Sequence, residues 1–193
     1  GPWAYFWYAT LPFSTVLPAV LSTRQWLLSA SWIRLAFGDY VRLKIPHAGY
    51  VAVCALLLSA LILGVIGVWP NYFFPFLWVS PLVIIICLQK VMGDDTIFTP
   101  ISLGDWSAVI AAALAAIICG VFWEMWNFFS LAKWQYSVPL VDRFKIFEMP
   151  LLGYAGYLPF GLECAAIGAM LEGWFNTSKK MSAPQADSQQ LGK

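Results

Sequence analysis

Residues 106–129 carry a single charged side chain, Glu124, in a run that is otherwise apolar or small. A helix rises 1.5 Å per residue, so crossing the hydrocarbon core takes about 20 such residues. Four further stretches, 4–21, 49–69, 73–89 and 150–175, meet or approach that requirement. Composition agrees: 61% of the chain is apolar, 11% is charged and the mean hydropathy is +0.73, whereas soluble domains average about 45–50% apolar and about 25% charged. The expected fold class is an all-α integral membrane protein with about five transmembrane helices plus one interfacial amphipathic helix. Residues 1–175 form one domain in this reading, and 176–193 form a polar tail that should be disordered in isolation.

The interfacial helix is placed at 25–37. Arg24, Leu27, Ser31 and Arg34 share one helical face, while Trp26, Leu28, Trp32, Ile33, Leu35 and Phe37 cover most of the rest. Orientation follows from the basic residues. Arg24, Arg34, Arg42, Lys44, Lys90, Lys179, Lys180 and Lys193 fall on one side and Lys133, Arg143 and Lys145 on the other. The richer side should be cytoplasmic, which puts the C-terminus inside, in a membrane of the bacterial inner-membrane type. Gly1-Pro2 reads as a tag scar or the start of a processed chain. With no basic n-region and cleavage site before the first apolar stretch, that stretch does not read as a signal peptide.

Several chemistries are excluded early. Cys54, Cys87, Cys119 and Cys164 stand singly inside apolar runs, so they indicate neither a disulfide framework nor a zinc site. His47 is the sole histidine, which rules out a haem held by two histidines of this chain and a chain-internal HExxH site. The Asp94-Asp95 pair reads as a turn, not as a magnesium–diphosphate site, and no metal site is expected. A net charge of +1 gives no reason to expect a nucleic-acid partner. The segments Pro12–Pro18 and Pro75–Pro81 both read PFxxVxP, and Pro159-Phe160 repeats the beginning; so short a match in a Phe-rich chain carries little weight for duplication.

The remaining polar residues in apolar surroundings are the candidates for function. Ala108, Ala112, Ala116 and Gly120 recur every four residues, making a stripe on which another helix can approach closely. Glu124 continues that stripe and is therefore expected to point into the bundle, flanked by Trp123 and Trp126 with Asn127 one turn on. Glu163 lies near the middle of the fifth stretch, where an acidic residue costs about 2.5–3.5 kcal/mol and needs a compensating reason. It is offset from a second small-residue stripe, Gly161, Ala165, Ala169 and Gly173. Glu148 precedes Met149-Pro150 and suits a helix start, where a carboxylate complements the dipole. Alternatively, Glu124, Asn127, Arg143, Lys145 and Glu148 converge as a polar pocket under an aromatic lid.

Eleven Trp, eight Tyr and fourteen Phe exceed what two interfacial belts need. Some are expected to line packing surfaces or a groove for an apolar ligand such as a lipid, isoprenoid, carotenoid or quinone; no intrinsic cofactor is implied. The leading functional expectation is a non-redox accessory subunit of a membrane complex, partnered by membrane lipids and other membrane-protein subunits, that packs such ligands on its aromatic surface. Trp123, Trp126, Asn127, Arg143, Lys145 and Glu148 are then the binding residues. The alternative is an intramembrane acid–base enzyme of cyclase, hydratase or isomerase type, with Glu124 and Glu163 as the catalytic pair. A proton-coupled carrier comes third, since five spans without a clear inverted repeat suit alternating access poorly.

Overall fold

A computed structural model describes residues 1, 3, 6, 7, 10, 14–136 and 143–182, with side chains as far as Phe175. The described residues are mostly helical. In chain order the α-helices are α1 (Val16–Ser29), α2 (Ser31–Phe37), α3 (Ala48–Ile66), the single turn α4 (Pro70–Phe73), α5 (Phe76–Met92), α6 (Ser107–Phe129) and α7 (Tyr157–Ser182). Short 3-10 helices occupy Thr99–Leu103 and Leu151–Gly156, and β1 (Lys145–Ile146) pairs antiparallel with β2 (Met149–Pro150), Lys145 opposite Pro150.

Helix α6 is the centre of the bundle. It packs against α1 on one side and α7 on another, α2 lies against it as well, and α7 in turn contacts α5, which pairs with α3. Its inward surface consists of two adjacent rows, Ala111-Ala115-Cys119 and Ala112-Ala116-Gly120-Glu124, all buried. The core formed there includes Val20 and Leu27 of α1, Ile33 of α2 and Cys164 of α7. The small residues allow close approach: a Cβ on Gly161 would land on the Ala112 carbonyl oxygen and the Ala116 methyl, and one on Gly120 would sit 2.6 Å from the Tyr157 ring. Of the second stripe, Gly161 meets α6 and Ala165 is buried, whereas Ala169 is exposed and a Cβ on Gly173 would meet nothing within 4 Å; Gly168, outside the stripe, faces Leu21 of α1.

Among the described residues two helices, α3 and α6, are long and apolar enough to cross a membrane; α5 is apolar but shorter. Burial separates the two long ones, since 44% of the most apolar window of α6 is covered within the chain and only 11% of that of α3. Tyr50, Leu57, Leu58 and Leu61 of α3 accordingly face outward.

Helices α3 and α5 lie within three residues of the expected 49–69 and 73–89; larger differences fall in the first and fifth stretches and in the interfacial segment. The first expected span, 4–21, lies partly outside the described residues, and its helix continues to Ser29. The interfacial segment 25–37 is then not one helix but the end of α1 and all of α2, because Ala30 turns extended at ψ 122°. There the Ser29 hydroxyl donates to the Trp26 carbonyl at 2.6 Å and Ala30 N–H donates to that of Leu27. Leu27 and Ile33 point into the core while Trp26, Trp32 and Leu35 stay exposed. In the fifth stretch, Pro150 is extended (ψ 143°) and a 3-10 helix follows, so α7 begins at Tyr157. Its far end runs to Ser182, into the segment expected as a polar tail; 183–193 lie outside the described residues.

At the other end of the bundle, the chain between α2 and α3 is tied to the entry of α6. Tyr40 N–H donates to the Gly104 carbonyl at 2.9 Å, Trp106 N–H to that of Phe37 at 2.8 Å, and the Trp106 indole to that of Val41 at 2.7 Å. Gly104 adopts φ +97°, and a Cβ there would stand 2.9 Å from the Tyr40 carbonyl oxygen.

The α6–α7 approach yields a direct expectation. Gly161→Ala must push α7 off the Ala112 backbone and should lower stability by about 1–3 kcal/mol, whereas Gly64→Ala, into open space on α3, should be neutral or stabilising. Unfolding midpoints of the two variants in a denaturing detergent series check this, and equal midpoints would refute it.

Candidate ligand-binding site

The small residues of α6 end at Glu124, and the next turn contributes Asn127. Both are buried, Glu124 with 0% exposure. Among the described residues neither meets a cation. The Oε1 atom of Glu124 accepts hydrogen bonds from the hydroxyls of Tyr136 at 2.7 Å and Tyr157 at 2.9 Å. Tyr136 Oη accepts from the Trp134 indole at 2.7 Å. Asn127 holds the same loop by its backbone: its amide donates to the Trp134 carbonyl and its Oδ1 accepts from the Trp134 N–H, both at 2.9 Å. One residue therefore satisfies both backbone groups of Trp134 and fixes the chain where it leaves α6.

The far side of the loop is held separately. Lys133 pairs with Glu148 at 2.5 Å and lies 5.0 Å from the centre of the Phe128 ring. Phe144 and Phe147 adopt left-handed φ of 53° and 56° around the β1–β2 turn. Non-glycine residues there are uncommon, and the hairpin is braced by the Tyr154 hydroxyl, which donates to the Ile146 carbonyl at 3.3 Å.

A cavity of about 200 Å³ opens beside this network, lined by Phe74 just after α4, Trp78 in the first turn of α5, Tyr136, Met149, Pro150, Gly153, Gly156 and Tyr157. Among the described residues no charged side chain is on its wall. The two hydroxyls that belong to lining residues are both directed at Glu124, so the wall keeps the character of rings and methylenes. Glu124 Oε2 is buried without a hydrogen-bond partner. Burial raises the Tyr136 phenol above its ordinary value, with the Glu124 carboxyl adding to the effect and the Trp134 indole opposing it.

The expected site residues separate. Glu124 and Asn127 converge as anchors of one loop. Trp123 packs in the core, 6.1 Å from the Tyr157 ring and 6.4 Å from Phe160. Trp126 is 61% exposed, and Arg143 is exposed. Lys145 reaches the Tyr136 carbonyl at 3.5 Å. Glu148 serves as the partner of Lys133, not as a helix-start charge, because the hairpin and 3-10 turn separate it from α7. Glu163 is half-buried, has no hydrogen bond or ion pair among the described residues, and belongs to no network with Glu124. The cavity itself is aromatic where a polar pocket was expected. Its determinants Phe74, Trp78, Tyr136 and Tyr157 carry only one sequence signal: aromatics clustered at the ends of apolar stretches.

Among the described residues no cluster of His, Cys, Asp or Glu has the makings of a metal site. No protein family, curated protein or solved structure matches this chain.

Two measurements probe the network. Asn127→Ala removes both bonds to the Trp134 backbone and leaves its polar groups to find water; a loss of about 1–3 kcal/mol is expected, with faster proteolysis in 131–136. Alkaline titration tests Tyr136. A phenol raised above its unfolded value of about 10 contributes stability that is complete below that pH and is lost as pH rises through the folded value. The phenolate absorbance gained between pH 9 and 11 should therefore be the same in the folded protein and in Tyr136→Phe; a smaller gain in the variant would show that Tyr136 ionises normally.

Proposed function

We propose that this chain is a non-redox integral membrane protein of the accessory kind, which seats part of an apolar, lipid-type ligand in the aromatic cavity between α5, α7, Tyr136 and the 149–156 segment. The cavity carries the reading. Ligand pockets are mostly apolar with a few placed polar groups, and here the hydroxyls nearest the ligand are held on Glu124, leaving an aromatic wall. The acid–base alternative calls for two carboxyls facing one substrate, and Glu124 and Glu163 share no bond or network.

Membrane integration rests on the outward apolar face of α3 and the length of α6. Contiguous exposed apolar surface marks lipid or partner contact. In this reading α1, α5 and α7 cross with α3 and α6, the basic segment 34–44 lies on the cytoplasmic side together with the C-terminus, and the cavity lies near the opposite surface, as in a bacterial-type inner membrane. Other membrane subunits would cover part of the exposed aromatic surface.

Native mass spectrometry of the gently solubilised protein should show retained lipid or isoprenoid, and Trp78→Leu should reduce it. Protein that releases every lipid under conditions that keep it folded would defeat the proposal. In a variant with its native cysteines replaced, Arg42→Cys and Leu131→Cys should label from opposite faces of sealed vesicles. Labelling of both from one face would defeat the topology.

A further inference from the structure

The Glu124 carboxyl poses a problem that a lipid tail alone does not answer. It is fully buried, among the described residues no cation pairs with it, and one of its two oxygens has no hydrogen-bond partner. A buried acceptor left unsatisfied costs about 1–3 kcal/mol and more for a charged group, so a positive charge nearby would stabilise it. The only route from Glu124 to the cavity shown by its bonds is through Tyr136 and Tyr157, whose hydroxyls donate to it and whose side chains form part of the cavity wall. A phenol donating to a carboxylate gains electron density in its ring, and aromatic rings attract cations through their negative faces. Phe74 and Trp78 complete the aromatic set.

Resting on the lipid-binding reading, we infer that the cavity takes an ammonium group, primary or quaternary, held by Trp78, Tyr136 and Tyr157 with the Glu124 carboxylate as the counter-charge behind them. Size agrees. Sites for whole drug-sized ligands run to about 300–1,000 Å³, so a cavity of about 200 Å³ fits a headgroup, not a complete lipid. The chemistry is that of an amine-bearing phospholipid headgroup; a free amine would satisfy the cage alone.

The test uses the full chain in detergent, with phosphatidylcholine, phosphatidylethanolamine and phosphatidylglycerol of identical acyl chains offered together and bound lipid counted by native mass spectrometry. Choline and its neutral carbon isostere, 3,3-dimethylbutan-1-ol, serve as competitors. The amine lipids should be retained over phosphatidylglycerol, choline should displace them and the isostere should not. Glu124→Gln should reduce the preference about three- to tenfold. Trp78→Leu should do the same; its site is 41% exposed, so this variant keeps the test valid if Glu124→Gln unfolds. Binding of choline without preference among lipids would support the cage with a free amine as its ligand. Equal retention of all three lipids, with choline no better than its isostere, overturns the ammonium inference and leaves lipid binding standing. Retention of none, with no choline binding, overturns both.

Discussion

The contact of α6 with α7 sets both the packing of the bundle and the geometry of the site. Gly161 lets the α7 backbone settle on Ala112 and Ala116, and Gly120 leaves room for the Tyr157 ring to lie against α6. Glu124 is one turn beyond Gly120 in the same row. Placing the ring over Gly120 therefore brings its hydroxyl to 2.9 Å from the carboxyl. Were either glycine larger, α7 would stand off, and Tyr157 would lose Glu124 and its place in the cavity wall together.

The loop that follows depends on the same helix end. Glu124 and Asn127 lie about one turn apart and bind Tyr136 and Trp134, so the chain leaving α6 is folded back at once over the carboxyl. Magnitudes show how far the carboxyl is compensated there. A hydrogen bond contributes about 0.5–1.5 kcal/mol net, and the two from Tyr136 and Tyr157 offset part of what burying a polar group costs, leaving Oε2 without a partner. Among the described residues that compensation comes from two neutral donors. Lys133, the basic residue nearest in sequence, is committed to Glu148 on the other limb of the segment.

What the sequence made legible follows from periodicity within one helix. The four-residue spacing from Ala112 to Glu124 implies an inward carboxyl, and Glu124 is fully buried; the same spacing implies close helix contact, and Gly161 meets Ala112 and Ala116. Spacing carries no information about which residues meet across helices. Tyr157 is 33 positions from Glu124, and Tyr136 reaches it from a loop without a periodic pattern. Arg143, Lys145 and Glu148 looked convergent because they share a short segment, yet a turn with two left-handed Phe residues distributes them to different places. Boundaries were lost for a related reason. The break at Ala30 and the late start of α7 arise from local dihedrals at residues whose composition suits a continuous helix.

The aromatic excess, too, has a positional logic. Along the α6–α7 interface the contacts change from Gly161, Ala112 and Ala116 to Tyr157, Phe160 and Trp123, and the series continues to Trp78 of α5, whose ring stands at right angles to Phe160 with centres 6.4 Å apart. Edge-to-face pairs of this kind add about 0.5–1.5 kcal/mol beyond buried area and leave each ring few alternative rotamers. Small residues draw two helices together, large rings hold the third at a fixed distance, and the space that neither fills is the cavity. Because Trp78 and Tyr157 are fixed by this series on the protein side, their positions do not wait for a ligand. For the proposed ligand, a wall ordered in advance would spare the ordering cost that binding otherwise carries, a role for which rings suit better than long aliphatic side chains.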